Sequence, residues 1–150
     1  MELEFDASEA AERCVKHRRR ILDVSQTVTA LHIAPAFSCL ELVDATYHGL
    51  MRFTDDGTTD DVFIMSKGHG YLAQLAVLED LGILPREYLD TYCTRDGVLG
   101  AHPDVGTPGI TAATGSLGHG LSMGLGVALA ERIQSNRTGA RPGSVFVILS

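Results

Sequence analysis

Three of the six histidines in this 150-residue sequence stand where helices and strands should be joined: His32 ahead of S-C-L-E (38–41), His69 between Gly68 and Gly70, and His102 in G-A-H-P-D (100–104). An imidazole in such a place can donate, accept or carry a proton near neutral pH. His69 follows the apolar run V-F-I-M (62–65), and ligands of open α/β sheets gather outside the carboxyl ends of strands. The flanking glycines let backbone N–H groups come close to an anion. Phosphate recognition is one reading, and a histidine that only hydrogen-bonds its own turn is the other.

The segment T-G-S-L-G-H-G-L-S-M-G (114–124) is richer. Each glycine within a helix costs about 1 kcal/mol relative to alanine, so glycines at 115, 118, 120, 124 and 126 imply close approach by a planar ring or by another helix. Gly118, Gly120 and Gly124 mimic dinucleotide-fingerprint spacing, but no good strand precedes them. A Rossmann dinucleotide site is therefore disfavoured against plain helix packing. Among His32, His69, His102 and His119 no pair has H-x-x-x-H spacing, and neither Ser66 nor Ser116 sits in G-x-S-x-G. Neither a zinc site nor a nucleophilic hydrolase is expected, and no metal ligand is assigned within the chain.

The elements that must position these residues alternate in type. A helix is expected from Ser8, its cap, to about Ala30, with Cys14, Val15, Ile21, Leu22 and Val28 on its apolar side. Its basic run Lys16–Arg20 points around the helix and reads as a solvated face, with a phosphate contact as the alternative. Ser38 and Glu41 form an S-x-x-E capping box ahead of a helix through about Met51. A buried strand follows at 62–65, then a turn at 66–70 and a helix at 71–81 stopped by Gly82; a short helix after Pro85 ends near Tyr92. Residues 96–115 form a long loop, a glycine-spaced helix runs from Leu117 to about Gln134, and S-V-F-V-I-L (144–149) is a second buried strand. The alternation implies an α/β fold with a parallel sheet flanked by helices.

Hydrophobic residues at 45% and charged residues at 21% suit one packed domain. A formal net charge of −7 opposes generic binding to nucleic acid or acidic membranes. No stretch has the composition of a membrane span, and residues 1–12 hold no apolar leader core. Three cysteines, Cys14, Cys39 and Cys93, without a Cys-x-x-Cys pair give no disulfide framework and fit a cytoplasmic location.

Four blocks, taken in order, resemble the transketolase family. They are His32 with its Ser38 box, D-D-V-F-I-M-S-K-G-H-G (60–70), G-A-H-P-D (100–104) with Pro108-Gly109, and T-G-S-L-G-H-G-L-S-M-G-L-G-V-A-L-A (114–130). The likeness covers roughly residues 10–150 and is greatest to the amino-terminal subunit of split transketolases. It implies a thiamine diphosphate-binding, pyrophosphate-type domain of which residues 1–150 are the N-terminal part, incomplete in this chain. By that resemblance His69 hydrogen-bonds the cofactor diphosphate, while Gly115, Ser116 and Leu117 lie along its rings. His32 and His102 face the reacting sugar and help move protons. The departures are Leu31-His32-Ile33-Ala34 where G-H-P-G is usual, and His119 where glutamine is common.

The family's G-D-G motif would follow the strand at 145–150, so the Mg2+ ligands are expected outside residues 1–150, and the activating glutamate is expected on a later domain or a partner. The implied activity is two-carbon ketol transfer between sugar phosphates, as one half of an oligomer whose site lies at an interface with a C-terminal transketolase subunit. Alternatives are decarboxylative carboligation of an α-keto acid, as in deoxyxylulose-phosphate synthases, or a non-catalytic assembly module.

Overall fold

The computed structural model describes residues 6–28 and 31–150. Helix α1 spans Ala7–Ser25, and its buried residues Ala10, Cys14, His17, Ile21 and Val24 recur at alternating steps of four and three, one face of an α-helix. Asp6, not Ser8, caps it. The Asp6 carboxylate accepts from the Ser8 N–H at 2.7 Å and from the Glu9 N–H at 3.2 Å. The helix also ends at Ser25, earlier than the expected Ala30, a residue outside the described ones.

The basic run of α1 is divided: Lys16 and Arg19 are exposed, as a solvated face requires, whereas Arg18 and Arg20 are engaged by carboxylates of other elements. Arg20 donates to Glu79 at 2.9 Å and to Asp90 at 2.6 Å, and Arg18 pairs with Glu41 while its guanidinium lies 5.7 Å from the centre of the Phe37 ring. These arginines tie α1 to the elements packed around it.

The sequence between His32 and Leu50 folds in three short pieces. His32 precedes α2 (Ile33–Phe37), and α3 (Leu40–Ala45) runs into a π turn at Thr46–Leu50. The Ser38–Glu41 capping box does not form: α3 begins at Leu40 behind Cys39, with no side-chain cap among the described residues. The Ser38 hydroxyl instead donates to the Pro35 carbonyl at 2.9 Å and accepts from Lys67 Nζ at 2.6 Å. Ser38 closes α2 with helical φ and ψ, −72° and −12°, whereas an N-cap residue is extended.

Strand β1 (Val62–Met65) pairs in parallel with β2 (Val145–Ile148), Val62 opposite Val145 and Met65 opposite Ile148. Asp61 fastens their starts: it is buried, forms an ion pair with Arg52, and accepts from the backbone N–H of Ser144 at 2.7 Å and of Arg52 at 2.8 Å. Burial alone would raise this carboxyl, but the Arg52 guanidinium and the two N–H donors prevail and hold it at about 2.

Helix α4 (Tyr71–Asp80) follows a 3₁₀ turn at Gly68–Gly70, and Tyr71 through Leu78 are all buried. A helix apolar on every side must sit at the centre, and Phe63 and Met65 of β1 join the same core. Helix α5 (Arg86–Asp90) starts after Pro85, as expected.

Helix α6 (His119–Thr138) starts two residues later than Leu117 and runs past Gln134. It lies on the sheet through Gly124, where an added Cβ would stand 2.6 Å from Val147 Cγ2. Close helix packing therefore explains part of the glycine spacing. Its other face is open, with Leu121, Met123, Leu125, Leu129 and Ile133 exposed. The architecture is α/β, with a small parallel sheet flanked by helices. No described helix is long and apolar enough to cross a membrane.

Candidate functional site

Strand β1 ends at Met65, and within five residues the chain turns through Ser66, Lys67 and the Gly68–Gly70 turn into α4. That corner carries His69. Two hydroxyls bring the long loop to the same corner: Thr111 Oγ1 donates to the Phe63 carbonyl at 3.0 Å and Thr114 Oγ1 to the Met65 carbonyl at 2.6 Å. The Thr114 N–H reaches the Pro103 carbonyl at 3.2 Å. The segments around His102 and Gly115 are thereby held beside the end of β1.

The closest crossing is backbone against backbone. A Cβ on Gly68 would fall 2.7 Å from Gly115 Cα and 2.8 Å from Gly115 N, and Gly115 itself has φ +149°. Only two glycines permit this approach. At the next turn the buried Ser66 hydroxyl accepts from the Gly120 N–H at 3.1 Å, which anchors the start of α6.

The three loop histidines come together here. The ring of His32 lies 6.0 Å from that of His69 and 5.6 Å from that of His102, centre to centre. His32 and His102 are exposed and His69 is half-buried. Burial, helped by Lys67, His32 and His102, pushes the His69 imidazole below its ordinary 6.5. A group so surrounded by cationic and potentially cationic neighbours favours anions.

Gly115 is half-buried, while Ser116, Leu117 and Gly118 are exposed, with Leu117 at 57%. The Ser116 hydroxyl lies 3.5 Å from His119 Nε2. All the sequence-derived site residues thus lie on loops meeting at the end of β1, forming an open surface. A separate 240 Å³ cavity, lined by Tyr47, Phe63, Ile110 and Thr111 among others, holds none of them.

Sequence reasoning overlooked three contributors. Lys67 adds a cation two residues from His69, Thr114 pins the loop, and Ser66 positions the start of α6. The signal for Lys67 was its place in S-K-G-H-G. The bonds of Thr114 and Ser66 span 49 and 54 residues and have no local signature.

The family profile described as "Transketolase, thiamine diphosphate binding domain" matches residues 12–148. An apulose-4-phosphate transketolase subunit of Phocaeicola vulgatus is 40% identical over 121 residues, which are 79% of this chain and 43% of that protein. The 6-deoxy-6-sulfo-D-fructose transketolase subunit SqwG of Clostridium sp. is 34% identical over 122 residues, 79% of this chain and 42% of that protein. The chain therefore spans less than half the length of these curated relatives. Among solved structures, "Transketolase from Leishmania mexicana" superposes with a TM-score of 0.80 at 23% identity, over 97% of this chain and 23% of that one, a likeness of fold.

Proposed function

Because the chain belongs to the family of transketolase thiamine diphosphate-binding domains, we propose that residues 1–150 are the N-terminal part of such a domain in a transketolase-type transferase. The enzyme would move a two-carbon ketol group between sugar phosphates and work with a complementing C-terminal subunit. The observation that carries this reading is the gathering of three histidines beside the Gly68–Gly115 crossing, with the His32 ring 6.0 Å from that of His69 and 5.6 Å from that of His102.

The residues present suit the cofactor. A backbone crossing that any Cβ would fill, next to exposed Ser116 and Leu117, offers flat polypeptide to a heterocycle. His69 and neighbouring Lys67 offer donors and positive charge to a diphosphate. We assign His69 to the diphosphate and Gly115, Ser116 and Leu117 to the rings. The Mg2+ that accompanies the diphosphate would be held by residues outside 1–150. Thiamine diphosphate, when bound, supplies the carbanion-stabilising chemistry for cleaving a carbon–carbon bond beside a ketose carbonyl.

The protein side of the work falls to His32 and His102. Both imidazoles are exposed at the same surface, so each can hydrogen-bond a sugar hydroxyl and pass a proton at its ring nitrogen. General acid–base groups of this kind contribute roughly 10²–10⁴-fold. The open apolar face of α6 is available for the complementing subunit, and the names of the two relatives, each a transketolase subunit, support a divided enzyme.

The test is calorimetric titration of the full protein with its complementing subunit, using thiamine diphosphate plus Mg2+, followed by an exchange assay with xylulose 5-phosphate and ribose 5-phosphate. Binding lost in His69→Ala, with turnover lost in His32→Ala and His102→Ala, is the expected pattern. Carbon dioxide release from pyruvate would select the decarboxylating chemistry instead. An intact complex that binds no thiamine diphosphate would leave an assembly module.

A further inference from the structure

Between α1 and the segment formed by α3 and its π turn, three metal-capable side chains meet inside the protein. His17 comes from the middle of α1, Asp44 from the end of α3 and His48 from the π turn that continues it. Asp44 Oδ1 is 3.6 Å from His17 Nε2 and 3.7 Å from His48 Nε2, and all three ligand atoms lie within 4.8 Å of one another. The His17 and Asp44 side chains are 3% and 1% exposed. Neither Nε2 has a hydrogen-bond partner among the described residues, although both atoms are buried.

That is an uncomfortable arrangement for polar atoms left to themselves. At 3.6 and 3.7 Å the imidazoles are beyond hydrogen-bonding range of the carboxylate. If either Nε2 is unprotonated, its lone pair faces a negative oxygen, and if protonated, its donor is unused. Buried polar nitrogens without partners are rare and point to a missing ligand or water. Two nitrogens converging on one carboxylate oxygen form a ready set of electron-pair donors.

We propose that His17, Asp44 and His48 form a binding site for a divalent transition-metal ion of the zinc class, separate from the cofactor surface. Two imidazoles and one carboxylate suit Zn2+, Co2+ or Ni2+ better than Mg2+ or Ca2+, which prefer all-oxygen sets. Asp44 is pre-oriented by Arg13, whose Nε and Nη2 donate to its two oxygens at 3.0 Å each, the outer support that ligating carboxylates usually receive. Each carboxylate oxygen keeps a lone pair for the metal.

Bonds of about 2 Å put ligand atoms roughly 3–3.5 Å apart, so the set must tighten. His48 is the member able to move, because its side chain is 21% exposed and sits on a π turn, closed by the Met51 N–H donating to the Thr46 carbonyl at 2.8 Å. Its flank is also the approach from solvent, beside Tyr47, Met51 and Phe53. A bound ion would clamp α1 to the α3–π segment.

The test uses the full protein with its complementing subunit, stripped by chelation and then saturated with Mg2+ to fill any oxygen-ligand site. Titration with Co2+ should produce a visible ligand-field band reaching full intensity at one equivalent, removable by EDTA, and Zn2+ should abolish it while raising the melting temperature. His17→Gln and His48→Gln should each weaken Co2+ binding by more than the roughly 10–100-fold that losing an outer-shell partner costs. If His17→Gln does not fold, His48→Gln decides, since its side chain reaches the surface. No band at saturating Co2+, or a band unchanged in either folded variant, would overturn the site.

Discussion

Substituting alanine for Gly68 tests whether the crossing of two loops organises the candidate site. The added methyl would stand 2.7 Å from Gly115 Cα and 2.8 Å from Gly115 N, against a comfortable carbon–carbon separation of about 3.5–4.0 Å. The overlap of about 1 Å is with backbone, which has no rotamer to escape into, so the loop must retreat. Overpacking of this kind costs about 1–3 kcal/mol. At about 2–4 °C per kcal/mol for a cooperative domain of roughly 150–250 residues, melting should fall by about 2–12 °C. Because Gly115 retreats with its neighbours, thiamine diphosphate affinity should fall as well. If all of that energy is felt in binding, the loss is roughly 5–150-fold. Gly100→Ala is the matched control, since no described atom lies within 4 Å of its would-be Cβ. Calorimetry and thermal scanning of the full protein with its complementing subunit read both effects. A Gly68→Ala protein that melts and binds like the parent would refute the reasoning.

Other substitutions probe the frame. Asp61→Asn should lower stability at pH 7 by about 2 kcal/mol, from the gap between the carboxyl's ordinary 3.8 and its folded value of about 2. A depressed folded value means this stabilisation is complete above about pH 3.8 and is lost as pH falls towards 2. Urea unfolding should show the two proteins converging over that range, and a pH-independent gap would count against the assignment. Burial lifts the thiol of Cys14 to about 11 and that of Cys39 above its ordinary value, so a thiol reagent should label Cys93 first. Rapid labelling of Cys14 in the folded protein would contradict that packing. Leu125→Glu with Leu129→Glu should weaken association with the complementing subunit while leaving the melting temperature of the isolated chain nearly unchanged, as sedimentation and thermal scanning would show.

Elements whose cause is local were legible in the sequence. Strand β1 and the helix after it follow from V-F-I-M and a largely apolar stretch broken only by Gln74 before Glu79, and the parallel pairing follows from alternating elements. Expectation and structure part where a distant partner decides the outcome. Ser38 reads as a cap, whereas it closes α2 and its hydroxyl accepts from Lys67, 29 residues away. Arg18 and Arg20 read as solvated until carboxylates from 23 to 70 residues away arrive beside them. The cluster of His32, His69 and His102 was suggested by loop positions, and only the hydroxyl bonds of Thr111 and Thr114 explain how the third histidine is brought to the others. His17 and His48 carry no signal in a linear reading because the carboxylate between them lies 27 residues from the first and only four from the second.

The threonine bonds to Phe63 and Met65 also fix the direction in which the sheet can be extended. In a parallel pair, alternate residues turn their peptide groups to opposite sides, and the Val62 N–H already serves β2 through the Ser144 carbonyl at 2.8 Å. The carbonyls on the opposite margin of β1 are occupied by threonine hydroxyls at 3.0 and 2.6 Å. The loop thus acts as a selvedge, sealing one border of the fabric. Any additional strand, whether from the same polypeptide or another, has to be laid beyond β2, and the imidazole-lined corner stays at the rim however wide the sheet becomes.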